Sequence, residues 1–208
     1  MIDSKKFNLY AVLFALVPLL AGGSARCEAF DKEHVRLVKS GKACVKPCDL
    51  SGADLAGVDL SGFDLSGANM SRMNLREANF RGAVLSGANL KDSDLSGALF
   101  KYARLDWAEL SGATFVAAQL ENSELSNAIL RGANLTSADL TRAILVDADF
   151  SNANLSGASL RGAFMERAIF EGADLTGANL NGADLRGVKL TQEQIGRNER
   201  RQTWDTRR

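Results

Sequence analysis

The residue types able to carry chemistry are few in this chain and poorly grouped. There is one histidine, His34, and there are three cysteines, Cys27, Cys44 and Cys48. A nucleophilic mechanism needs a hydroxyl or thiol beside a base that a third group orients. No serine, cysteine or carboxylate motif accompanies His34, which reads as a half-buried helix residue. Three cysteines and one distant histidine match no ligand spacing of a metal site. Aspartates recur every five residues at Asp49, Asp54, Asp59 and Asp64. Such a ring can attract a cation or a basic partner, but short acidic side chains recur more often because nearby backbone groups use their oxygens. Ser-Gly pairs recur at the same spacing, which marks turns rather than nucleophiles. The expectation is a protein that is not an enzyme, with no catalytic residue, metal or cofactor.

The elements that carry these residues divide the chain of 208 residues into four stretches. Residues 1–25 hold Lys5 and Lys6, an apolar run from Leu9 to Ala21, and then Gly22, Gly23, Ser24 and Ala25. That order of positive, apolar and small residues is a secretory signal, with cleavage expected after Ala25. The run is short for a membrane span, which needs ~20 residues; an uncleaved anchor is the alternative. Export places the mature chain in the periplasm or outside the cell. Cysteines there meet oxidising conditions, so one disulfide and one free thiol are expected, with Cys44–Cys48 favoured. Residues 26–47 contain a helix read over Glu28 to Ser40. Phe30, His34, Leu37 and Val38 fall on one side, Arg36 and Lys39 sit late, and Gly41 follows as the stop.

From Cys48 the chain reads in fives: CDLSG, ADLAG, VDLSG, FDLSG, ANMSR, MNLRE, ANFRG, and onward to VKLTQ at Val188–Gln192. The third residue of every unit, from Leu50 to Leu190, is Leu, Phe or Met; all 29 obey this without a skip. Two residues earlier stands a small residue, Ala in 22 of the 29 units. A period of five fits neither a helix nor a strand. It fits a coil whose short sides bury residues one and three, which share a face when the chain is extended. Residues four and five then make the corner, where Gly or Asn tolerates the turn. Stacked coils with large centres beside small alanines would pack tightly. Residues 193–208 add a short C-terminal cap, opened by Thr191 and Gln194 as a capping box with Ile195 inward, and a basic tail.

The A(D/N)LXX units over residues 48–192 resemble the pentapeptide-repeat proteins. The resemblance implies an all-β solenoid, a right-handed quadrilateral β-helix of about seven coils, here with a short N-terminal capping helix. Members of this family often pair two cysteines just ahead of the first repeats. Four units per coil would place residues twenty apart on one side. Val84, Ile144 and Phe164 then share a side with Val146. Trp107 stands at its trailing corner, and Ile129 and Ile169 lie on the adjacent side. Leu99 is a further apolar second residue. This apolar strip is the candidate protein-contact surface, rimmed by Arg104, Glu166 and Arg167, because exposed apolar clusters mark contacts.

The function expected is an exported scaffold that binds a protein partner, as monomer or homodimer, without nucleic acid and without a membrane once the signal is removed. Some relatives of the resembled family mimic DNA and bind type II topoisomerases, protecting them from quinolones; that is the alternative. It asks for a strongly acidic rod. Here Asp49–Leu190 carries 18 acidic and 12 basic side chains, a net of −6, and the whole chain has a formal charge of zero. That field is weak.

Overall fold

The structure, a computed structural model, describes residues 32–41 and 48–196. The expected signal segment, Cys27, Phe30, Cys44, the side chain of Ile195 and the basic tail lie outside the described residues.

Each five-residue unit makes one short side and one corner. The second residue of each unit pairs in parallel with the residue twenty later, from Asp49↔Asn69 to Phe164↔Asp184. Four units therefore close one coil, and the chain stacks coil on coil. Among the described residues the sides are single bridge residues rather than extended strands. The corner uses two of every five residues, so three remain, too few for a continuous ladder. The four faces are named here by their first bridge residue: face one by Asp49, face two by Asp54, face three by Asp59 and face four by Asp64.

The backbone donors can be followed completely through one unit. The Asp54 oxygen Oδ1 accepts from the Ala56 N–H at 3.1 Å. The Leu55 N–H donates to Asn74 O, the Gly57 N–H to Arg76 O, and the Val58 N–H turns back to Leu55 O. One coil on, Asn74 N–H donates to Ala53 O. Second-position Asp and Asn thus close the corner with an oxygen aimed at the amide two residues later, which explains their recurrence. Asn69, Asn74 and Asn79 also donate from Nδ2 to Asp49, Asp54 and Asp59 of the coil before. The ring of first-coil aspartates is therefore engaged in fold chemistry.

Every fifth residue from Gly52 to Gly187 has positive φ. A left-handed residue at the third place of a four-residue turn is the mark of a type II turn. Glycine fills that place freely, but Tyr102 and Trp107 hold it at φ 62° and 61°. Bulky side chains are rare there, and the conformation costs on the order of 1 kcal/mol.

The core is the inward row of centres, buried from Leu50 to Leu180, and of first residues, of which Val58 and Phe63 in the first coil are only partly buried. Phe80 stacks on Phe100 with ring centroids 4.7 Å apart, and Phe150 on Phe170 at 5.0 Å. Ser93 and Ser123 are buried first residues whose hydroxyls donate to Met70 O and Leu120 O. Ser93 Oγ also accepts the Met73 N–H, so one hydroxyl serves the corner that holds the large Met73 side chain. The inward reading weakens at the last coil, where Leu185 and Leu190 are only partly buried, because no further coil covers them.

Helix α1 spans Lys32–Lys39, shorter than the Glu28–Ser40 expectation; residues 28–31 lie outside the described residues. Gly41, at φ 74°, ends it, with its N–H on Val38 O. Val38 is buried in the core and Val35 packs against it. His34 Nδ1 accepts the Asp49 N–H at 3.3 Å, tying α1 to the first coil. Cys48 is buried and disulfide-bonded; its partner sulfur lies outside the described residues.

Helix α2 spans Gln192–Gly196 and opens with the expected capping box. Thr191 N–H donates to Gln194 Oε1 at 2.9 Å, and Gln194 N–H to Thr191 Oγ1 at 3.3 Å. Gln194 Nε2 then reaches Phe170 O and Ala173 O. Interior first-position carbonyls accept from the backbone twenty-one residues on, as Ala153 O does from Asp174 N–H. At Ala173 the Gln194 carboxamide supplies that donor instead, so a side chain finishes the ladder.

Candidate contact surface

Apolar residues at the second position give up the corner hydrogen bond that Asp or Asn makes there. Val84, Leu99, Ile129, Ile144, Phe164 and Ile169 have no oxygen to offer the amide two residues on. Each such bond is worth about 1 kcal/mol net, so these positions trade local stability for apolar surface.

The bridges place them. Face four runs Asp64, Val84, Arg104, Glu124, Ile144, Phe164, Asp184. Ile144 and Phe164 are therefore direct neighbours. Val84 shares the face but does not join them: Arg104 and Glu124 intervene, with Arg104 Nε 3.6 Å from Glu124 Oε2. Face one runs Glu109, Ile129, Asp149, Ile169, so its two isoleucines are split by an aspartate. Asp149 is nearly buried and accepts from Arg131 Nε at 2.6 Å and from the Ser151 N–H and hydroxyl. Burial opposes its ionisation, but those donors hold its carboxyl below the usual carboxylate range. Leu99 lies on face three, away from the rest.

Faces four and one meet at one corner, and this corner gathers the exposed apolar residues. Trp107 stands on it, 67% exposed; Phe164, three coils further on, is 50% exposed on face four, and Ile129, Ile144 and Ile169 are exposed on the two flanking faces. Val146 is half-buried in the corner itself. Four successive coils contribute, a length of roughly 15 Å at ~4.8 Å per coil.

Glu166 and Arg167 do not rim this surface, as expected, but run through it. Arg167 binds Asp147 with two parallel bonds of 2.8 and 2.6 Å and also pairs with Glu166. Arg186 bridges Glu166 and Asp184. The Arg167 bonds hold the Asp147 carboxyl below its usual range. These residues occupy the corner positions between Phe164 and Ile169, because the corner is where two polar residues of each unit stand. The surface is thus two apolar flanks around an ion-paired corner. One exposed aromatic, Tyr102, at 62%, was not singled out from the sequence. It occupies the same fifth position as Trp107, which is the signal that would have found it.

Among the described residues no group of three His, Cys, Asp or Glu side chains is placed to hold a metal, and no helix is long and apolar enough to cross a membrane.

A search of the curated proteins found no match. Among solved structures the chain is similar to QnrB1, a plasmid-mediated fluoroquinolone resistance protein, at 28% identity over 74% of this chain and 83% of that one, with a TM-score of 0.36. It is also similar to HetL, involved in heterocyst differentiation regulation in the cyanobacterium Nostoc sp. strain PCC 7120. That match has 30% identity over 68% and 84% of the two chains and a TM-score of 0.29. Rfr23 from the cyanobacterium Cyanothece 51142 matches at 26% identity over 83% and 98%, with a TM-score of 0.34. The family model for pentapeptide repeats matches residues 48–82, 78–115, 118–157 and 153–192. With more than half its length so matched, and with its bridges and corners repeating in that same register, the chain belongs to the pentapeptide-repeat family.

Proposed function

We propose that this chain is an exported pentapeptide-repeat scaffold that acts by binding a protein partner and carries out no catalysis. Its form is a right-handed four-sided rod of about seven coils, with α1 covering the first coil and α2 the last. The observation that carries the reading is the corner between faces four and one. There Trp107, Ile129, Ile144, Phe164 and Ile169 stay exposed although Asp or Asn at four of those places would have made a corner bond. Exposed apolar side chains grouped within a polar frame favour association. Export rests on residues 1–25 alone; a disulfide at Cys48, for which Cys44 is the partner favoured here, suits that compartment.

The DNA-mimic reading finds less support. A mimic needs a continuous anionic surface, and Arg81, Lys101, Arg142 and Arg161, which recur along one corner, have no ion pair among the described residues.

The test is osmotic-shock fractionation with intact mass, followed by cross-linking in the native compartment. A soluble chain beginning near Arg26 is expected. Cross-links to a partner should fall at least tenfold in Phe164→Ser and Ile169→Ser, with the fold kept and thermal melting lowered by only a few degrees, about 2–4 °C for a cost of roughly 1 kcal/mol. A full-length chain in the cytoplasm would sink the export reading, and undiminished cross-linking in both variants would sink the contact surface.

A further inference from the structure

The corner between faces three and four differs from the others in charge. In successive coils it presents Arg81, then Lys101 with Tyr102, then Glu121, then Arg142, then Arg161. The stacking is fixed by backbone bonds: Gly82 N–H to Lys101 O, Tyr102 N–H to Glu121 O, and Arg142 N–H to Arg161 O. Elsewhere on the rod Arg76, Arg104, Arg131, Arg167 and Arg186 each pair with a carboxylate, while Arg72, Lys91 and Lys189 there have no ion pair among the described residues. Among the described residues the four cations of this corner have no such partner.

Three of them, Lys101, Arg142 and Arg161, line a groove of about 500 Å³ together with Glu121, Asp139 and Asn181. One oxygen of Glu121, Oε2, is buried with no hydrogen-bond partner. That oxygen is closed off from the groove, so what the groove lacks is an anion for its cations. Beside it the Tyr102 ring is exposed, with Lys101 Nζ 5.5 Å from its centroid.

We propose that this groove binds an acidic saccharide, a glycan built on uronate residues. Its carboxylate is the counter-ion that Arg142 and Arg161 lack, and arginine suits carboxylates because its planar fork can bind both oxygens. Its hydroxyls supply donors to the Asp139 carboxylate, and both donors and acceptors to Asn181, which line the groove. Tyr102 offers an apolar ring face with a polar tip to a sugar ring. A polyanion without hydroxyls would meet Glu121 and Asp139 only as like charges. A neutral sugar would leave the arginines unpaired. Successive coils rise by ~4.8 Å, so a linear chain laid along the corner meets a cation on most coils. This surface is separate from the apolar corner and does not depend on the protein-contact reading.

The experiment is calorimetric titration of the full chain at low salt with tetragalacturonate, maltotetraose and hexaglutamate. Saturable binding of tetragalacturonate is expected, with at least tenfold weaker binding of the other two. Arg142→Gln with Arg161→Gln should weaken it at least tenfold, and Tyr102→Ala several-fold, both with unchanged melting because all three side chains are exposed. No heat with tetragalacturonate would overturn the proposal. So would equal affinity for hexaglutamate, which would make the groove a general polyanion or acidic-peptide site, or equal affinity for maltotetraose. Binding that survives both the double arginine variant and Tyr102→Ala would place the ligand elsewhere and equally overturn it.

Discussion

Truncating Leu135 tests the inward register of the whole rod. Leu135 is 0% exposed and stands twenty residues from Phe115 and Leu155, so it fills the middle of one inward column. Leu135→Ala removes three carbon atoms, a transfer loss of about 2.4 kcal/mol at ~0.8 kcal/mol each. The void adds up to ~1.5 kcal/mol if ~60 Å³ stays open, at ~24 cal/mol per Å³. The neighbouring coils are hydrogen-bonded on both sides, through Phe115 N–H to Asn134 O and Leu135 N–H to Asn154 O, so collapse into the void is limited. The expected cost is therefore between ~2.5 and ~4 kcal/mol. Phe164 is half-exposed and loses about half of a full burial on change to Ser, roughly 1 kcal/mol. Urea unfolding followed by circular dichroism, with both variants against the parent, reads the two costs directly. A Leu135→Ala cost below ~1 kcal/mol, or a larger cost for Phe164→Ser, would refute the register, since core and surface columns would then be exchanged. Leu135→Asp, which forces a charge among apolar side chains, should yield no folded rod at all.

Gln194→Ala should remove the donor to Phe170 O and Ala173 O and cost about 1–3 kcal/mol; faster amide exchange in the last coil, at Asp174, Asn179 and Asp184, with the mid-rod unchanged, checks it. Acid should destabilise the fold through Asp94, Asp147, Asp149 and Asp184, whose native carboxyls lie below their usual range. The unfolded chain therefore takes up protons first as pH falls, so this stabilisation is complete above about pH 4 and is lost as pH drops through the lower native values. Melting temperatures from pH 6 to pH 2.5 should fall only at the acid end, and less steeply in Arg131→Gln with Arg167→Gln. Trp107→Gly should raise stability by roughly 0.5–1 kcal/mol because glycine holds a left-handed φ without the steric penalty; a lower melting temperature would mean that the indole packs on the rod.

The local features of this protein were legible because they are made within five residues. The alternation of a small residue and a large centre identified the buried columns from Leu50 to Leu180, and the polar second residue with its following turn identified the corners. Thr191 and Gln194 were readable as a capping box for the same reason: both bonds span three residues. What Gln194 does with its remaining amide was not readable, since its acceptors Phe170 and Ala173 lie a coil away. The sides of the coil look alike in sequence, so nothing within one unit says how many close a turn or which units meet. That is decided when backbone donors find carbonyls twenty residues apart, and with it every surface neighbour. Only then does Val84 part from Ile144 across Arg104 and Glu124, do Glu166 and Arg167 fall between the apolar flanks, and do Lys101, Arg142 and Arg161 come to share one groove. The pentad alone determines what is inside and what is outside; the stacking of coils determines what lies beside what, because neighbours on the surface are joined through the backbone of other coils and not along the chain.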